Sequence, residues 1–418
     1  MKILVITYPC SPYRGSEFSV SWNYITHMSK DNELYVIYGT SGNGFGNVSE
    51  LKHWLSKNEL KNVHFIDVHV PDNYWTKFLA LCRKINYKYG SFIQYKYWYK
   101  CVYKRAKDVV NVEKIDIVHY LNPIGFKEPG ECWKIKDIPY VWGPIQGVEN
   151  RPFCLYKAMG WKGKADAIAR LILHNGMMRF SPEIRKAIKR TNALFAATPN
   201  TVKQINDIFN KKCIYLPENG IVEMNRKASI SFKRGNILQL IWVGAICERK
   251  ALILLIEALH NVNSKKWHLD VCGDGSERHK LQTKAIEYGI NDNISWHGNI
   301  LRDKVQNLFA NAHLHIISSL GEATTTVLFE AMSWGIPTMT LDHCGMSGVV
   351  CNKCGIKIPI ISYSQVITDM ANNITQIIDK PEIINKLSEG VIHCSENYMW
   401  TKRIETFNKI YKNLKGQQ

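Results

Sequence analysis

The 418-residue sequence contains no apolar run approaching the roughly 18 uncharged residues that a membrane-spanning helix requires. It also lacks internal repeats and low-complexity tracts, which argues against a solenoid or a disordered array. Cysteine is sparse and scattered, 12 in 418 residues, so a small disulfide-stapled scaffold is excluded. The opening MKILVITYPC holds a short β-branched run without the longer apolar core and small-residue cleavage site of a secretory signal. These absences read as a reducing, cytosolic protein that does not cross a membrane. Acidic residues are few, 36 against 54 basic ones, and the net charge is +18. An anionic partner follows, with nucleic acid, an acidic lipid surface and a phosphorylated small molecule all open.

The composition is otherwise globular, with 45% hydrophobic and 22% charged residues. At about 150 residues per domain the length suggests two or three domains. Strand-like runs fall at Lys2–Tyr8, Leu34–Tyr38, Val63–Val70, Ile115–Tyr120, Tyr140–Gly143 and Ala193–Thr198. A second series falls at Leu238–Val243, Leu269–Cys272, Ile294–His297, Leu314–Ile317 and Thr338–Leu341. Amphipathic stretches such as Ala251–Val262 and Glu277–Tyr288 lie between them. This alternation predicts an α/β fold of two doubly wound parallel sheets. Residues 1–220 are expected to form one Rossmann-like domain and 221–395 a second, with 396–418 a helix returning to the first. In open parallel sheets ligands sit at the carboxyl ends of the strands, so the loops that follow strands carry the interest.

The most informative stretch runs from Ser318 to Pro337 and contains Glu322, Thr324–Thr326 and Glu330. It follows an apolar strand and opens a helix that Gly335 and Pro337 would stop. Eight positions, close to two helical turns, separate the glutamates, which places them on one side of the strand–helix junction. The threonine-rich helix start offers N–H groups to an anion. A carboxylate at position 330 suits a ribose diol.

This segment resembles the E-x7-E motif of the family 4 glycosyltransferases, retaining enzymes with the GT-B fold and two Rossmann-like domains facing a deep interdomain cleft. Other pieces resemble that family in the same order. They are Arg14-Gly15-Ser16-Glu17, the PNG-type turn Pro217-Glu-Asn219-Gly220, Gly244 to Lys250, the GDG turn Gly273-Asp274-Gly275, and His297-Gly298-Asn299. The resemblance implies a nucleotide-sugar donor with no further cofactor. Glu330 would hold its ribose, Lys250 its diphosphate, and Glu322 the sugar near the reacting carbon. Amides around Thr325, Thr326 and Val327, with Gly15, Gly244, Arg249, Gly273, Gly275, His297 and Asn299, would complete the donor site. His119, at a strand end in the first domain, is available for the catalytic-side histidine the family often carries in that domain, the alternative being a structural histidine. Ala245 replaces an arginine usual in the family, and neighbouring Arg249 is the candidate substitute.

The implied activity is transfer of a hexosyl or related sugar to a glycan or polyprenyl-diphosphate-linked acceptor in capsule, O-antigen or exopolysaccharide synthesis. Two other classes stand beside it. An NAD-dependent oxidoreductase is disfavoured because no strand leads into G-x-G-x-x-G. A non-catalytic nucleotide or nucleic-acid binder would suit the charge, but no RNA-binding signature accompanies it. No Asp-x-Asp motif follows a strand, so no metal is expected.

Residues 74–107 and 151–190 interleave cationic residues with aromatics. They suggest a peripheral site on an anionic membrane at the cytoplasmic face, the alternative being a solvated basic surface over a Tyr/Trp core. Cys344, Cys351 and Cys354, with His343, invite a zinc reading, but the spacing fits no standard finger. They read as buried reduced thiols.

Overall fold

A computed structural model describes residues 1–40, 48–71, 73–75, 77–78, 81 and 87–416; Arg83 and Lys84 of the first basic stretch lie outside the described residues. The chain divides into two compact units. The first comprises 1–148, 174–218 and 400–418, and the second 149–173 and 219–399.

The first unit holds β1 (Lys2–Thr7), β2 (Glu33–Thr40), β3 (Val63–His69), β4 (Ile117–Asn122), β5 (Tyr140–Ile145), β6 (Ala193–Ala196) and β7 (Ile214–Tyr215). They form one sheet in the order β3-β2-β1-β4-β5-β6-β7, every pair parallel. β4, β5 and β6 are buried at every position, as expected of strands covered on both faces. One face packs on helix Glu17–Met28 and helix Trp400–Lys415 through Val20, Tyr24, Trp400, Phe407 and Tyr411. The other packs on helix Tyr87–Glu113, through Trp98, Tyr99 and Val102.

The second unit holds β8 (Leu238–Val243), β9 (Trp267–Cys272), β10 (Ile294–Gly298), β11 (Leu314–Ile317), β12 (Thr338–Leu341) and β13 (Gly355–Ile358). Its order is β10-β9-β8-β11-β12-β13, again all parallel. The helix Leu252–His260 buries Leu252, Leu254, Leu255, Ile256 and Leu259 against it, each worth about 1.5–3 kcal/mol of transfer free energy. Two parallel α/β sheets are what the alternating pattern predicts. β7 is an additional edge strand of only two residues, too short to carry a period, and β13 forms an edge of the second sheet.

In each sheet the strand order reverses once, between β1 and β4 in the first unit and between β8 and β11 in the second. At such a reversal of strand order a doubly wound sheet offers a crevice for ligands.

Candidate active site

In the second unit the loops leaving β8 and β11 are tied together. The Leu320 amide donates to the Arg249 carbonyl at 2.9 Å, and the Ser318 hydroxyl donates to the Lys250 carbonyl at 2.8 Å. The indole N–H of Trp242, the penultimate residue of β8, donates to Ser318 Oγ at 3.1 Å. A single 3₁₀ turn, Glu248–Lys250, presents both basic side chains toward the β11 loop.

The glycines of this region answer to packing. A Cβ on Gly273, whose φ is +141°, would lie 1.9 Å from the Gly244 carbonyl oxygen, and one on Gly275 would lie 2.3 Å from that of Ile246. They allow the β8 and β9 loops to touch, with the Ile246 amide donating to the Asp274 carbonyl at 2.9 Å. Gly15, in the loop after β1, differs: a Cβ there meets nothing within 4 Å, so no internal contact demands a glycine.

Lys250 and Glu322 meet, with Nζ 2.8 Å from Oε1 and both side chains largely shielded. The Arg249 guanidinium binds the same carboxylate oxygen and also donates to the Gly321 carbonyl at 3.2 Å. Burial alone would raise the Glu322 pKa, but the Lys250 and Arg249 charges outweigh it and hold the carboxyl below its ordinary value. Ala245 is exposed and contributes no charge. A third cation stands close by. The Arg151 side chain borders Gly321, pairs with Asp166 at 3.5 Å, and is lowered in pKa first by burial and also by the charge of Arg249.

Helix Thr326–Ser333 starts directly after this loop, with Thr324 and Thr325 buried beside its free N–H groups. Gly335 at φ +68° closes it: the Gly335 and Ile336 amides return to Met332 and Ala331. Glu330, one turn in, is paired with Arg302 at 2.7 Å rather than with the Lys250 cluster. His297 Nε2–H donates to Asp270 Oδ1 at 2.6 Å, and Asn299 is exposed on the loop after β10.

The structure thus brings together Lys250, Arg249 and Glu322. His119 belongs elsewhere, in the first unit. It is wholly buried, Nε2 lies 2.7 Å from the Gly143 carbonyl, and Nδ1 lies 2.6 Å from the Tyr411 hydroxyl. Burial pushes its pKa down to about 4, so it is neutral near pH 7. A ring with both nitrogens engaged and no solvent access reaches no substrate, and His119 is removed from the catalytic candidates. Arg151 and Arg302 were not visible in the sequence, since each reaches its partner from a distant segment with no local spacing to mark it. In the first unit Glu17, following Gly15, has its pKa pushed up to about 7 by burial and by Glu128. Perturbation of this kind at a sheet's carboxyl end marks a second functional candidate.

Residues 224–392 match the model of the family described as glycosyl transferases group 1. Among curated proteins, the chain is 22% identical over 219 residues to the Schizosaccharomyces pombe phosphatidylinositol N-acetylglucosaminyltransferase gpi3 subunit, covering 51% of this chain and 46% of that one. It is 30% identical over 157 residues to the Escherichia coli lipopolysaccharide glucosyltransferase WaaG, covering 37% and 38%. The matches therefore span less than half the length of these relatives. Among solved structures, the apo lipopolysaccharide outer core galactosyltransferase WaaB superposes with a TM-score of 0.66 at 16% identity, covering 99% of both chains. Anabaena Alr3699/HepE, solved with UDP and glucose, gives 0.63 at 13% identity, covering 99% of this chain and 100% of that one. The fold is that of the GT-B glycosyltransferases, and the family match contains Arg249, Lys250, Glu322 and Glu330.

Proposed function

We propose that the chain is a glycosyltransferase that moves a sugar from a nucleotide-sugar donor to a glycan or lipid-linked acceptor in surface-polysaccharide assembly. The observation that carries this reading is the convergence of Arg249 and Lys250 on Glu322 at the sheet's switch point, beside the start of helix Thr326–Ser333. Cations and helix amides at that point suit a diphosphate, and an acceptor-only carboxylate among them suits sugar hydroxyls.

In the proposed reaction the anomeric carbon–oxygen bond breaks and its electron pair leaves on the diphosphate. The acceptor hydroxyl oxygen bonds to the same face of the carbon, and its proton passes to the departing phosphate, so configuration is retained. Lys250, Arg249 and the amides of Thr325, Thr326 and Val327 stabilise the charge as it develops. With side chains supplying that charge, we read the reaction as metal-independent and hexosyl-transferring. Incubation with a panel of sugar nucleotides tests it: slow release of nucleoside diphosphate from at least one is expected, and none from any would overturn the reading.

The acceptor side is assigned to an anionic membrane surface at the cytoplasmic face. Helix Trp161–Phe180 supports this, exposing Trp161, Ile168, Ile172, Leu173 and Phe180 among Lys162, Lys164, Arg170 and Arg179. In the earlier basic stretch Tyr74, Trp75 and Phe78 are exposed, whereas Trp98 and Tyr99 are core residues and contribute nothing to a surface. Among the described residues no helix is long and apolar enough to cross a membrane. Vesicles containing anionic lipid should sediment the protein at low salt and release it at high salt. Equal sedimentation with neutral vesicles, or none with anionic ones, would contradict this assignment.

A further inference from the structure

The cysteines of the second unit do not group as their sequence positions suggest. Cys344 and His343 lie with Glu149, apart from the C-x-x-C pair. Cys351 and Cys354 are joined instead by Cys394, from the last turn of helix Glu382–Ser395.

The turn Cys351–Gly355 is built so that two sulfurs face one way. The amides of Cys354 and Gly355 both donate to the Cys351 carbonyl, at 2.9 and 3.0 Å. The Cys351 amide points at Cys354 Sγ, at 3.3 Å. The two sulfurs stand 3.5 Å apart, and Cys394 Sγ lies 3.8 Å from that of Cys351. All three lie within 4.8 Å of one another.

Helix Glu382–Ser395 comes this close because of Gly390. A Cβ there would lie 1.8 Å from the Lys353 carbonyl oxygen. Residue 394 is one helical turn beyond 390, hence on the same face. The glycine that seats the helix on the turn is therefore what delivers the third sulfur.

Zinc–thiolate bonds are about 2.3 Å long, so sulfurs at the corners of a zinc tetrahedron are separated by about 3.8 Å. We infer that Cys351, Cys354 and Cys394 form a binding site for a thiophilic divalent cation of the zinc type. The fourth position opens to solvent on the side of Cys351 and Cys394, which are only partly buried, while Cys354 is buried. Each thiol releases its proton as its metal–sulfur bond forms.

Bound there, the ion would clip the last helix of the unit to the segment after β12. That segment also supports the β11 loop, since a Cβ on Gly345 would lie 1.7 Å from the Ala323 carbonyl oxygen. The site is independent of the donor chemistry, and its test does not depend on catalytic activity.

Full-length protein, reduced and stripped with a chelator, is titrated with Co2+ as a spectroscopic substitute and then with Zn2+. One equivalent of Co2+ should give thiolate-to-metal charge-transfer absorption that Zn2+ abolishes. Cys394→Ser and Cys351→Ser should weaken binding roughly tenfold or more, and Cys101→Ser should not. Zn2+ should also raise the melting temperature of the wild type but not of Cys394→Ser. Absence of stoichiometric binding by the reduced wild type, or binding unchanged in both cluster variants, would overturn the proposal. So would a Cys351–Cys354 or Cys351–Cys394 disulfide forming in air in a protein that takes up no metal, which would make the cluster a redox pair.

Discussion

Lys250→Ala is expected to lower the rate of sugar transfer by roughly 10²–10³-fold, the loss typical of removing one preorganised group from developing anionic charge. The Lys250 ammonium is largely shielded and lies 2.8 Å from Glu322. In that setting a charge is screened less than at the surface, and its removal is felt more. Arg249 is more exposed than Lys250 and binds the same carboxylate, so it compensates only in part. Lys250→Arg retains the charge with altered reach and should fall between. The measurement is kcat with a saturating donor, alongside a thermal melt that confirms folding. A kcat within a few-fold of wild type would mean that another group receives the diphosphate.

Glu330→Ala should weaken binding of the free nucleoside diphosphate by about 10–100-fold, corresponding to the loss of one charge-assisted hydrogen bond of about 1.5–3 kcal/mol. Glu330 stands one turn into helix Thr326–Ser333 and is mostly shielded. Its partner Arg302 is largely exposed, and exposed ion pairs contribute little. Arg302→Ala should therefore affect binding much less than Glu330→Ala. A 2′-deoxy nucleoside diphosphate supplies the specific control. Wild type should prefer the ribose form, and Glu330→Ala should lose that preference. Unchanged affinity by calorimetry, or a preserved preference, would contradict the ribose role.

The sheets were legible because their central strands are buried on both faces and read as apolar runs, such as β4 (IVHYLN) and β11 (LHII). The start and stop of helix Thr326–Ser333 were also legible, since a threonine-rich opening and a Gly-x-Pro ending are local signals. What escaped is long-range. The tie from Leu320 to Arg249, the approach of Arg151 to Gly321, and the pairing of Arg302 with Glu330 join segments that no local period relates. His119 misled for the same reason. A histidine at a strand end invites a catalytic role until two tyrosines, from helices almost four hundred residues apart in sequence, close over it. The aromatics of residues 74–107 divide, with Tyr74, Trp75 and Phe78 exposed ahead of the helix Tyr87–Glu113 and Trp98 and Tyr99, on it, turned to the core. Cys394 joined the C-x-x-C pair through a glycine-seated helix, a relation carried entirely by packing.

A crystal structure of the chain with a nucleoside diphosphate examines the central claim most directly. The account predicts phosphate oxygens within hydrogen-bonding distance of Lys250 and of the amides at Thr325–Val327, with the ribose diol on Glu330. A diphosphate bound away from Lys250, with Glu322 and Glu330 both facing empty solvent, would contradict it.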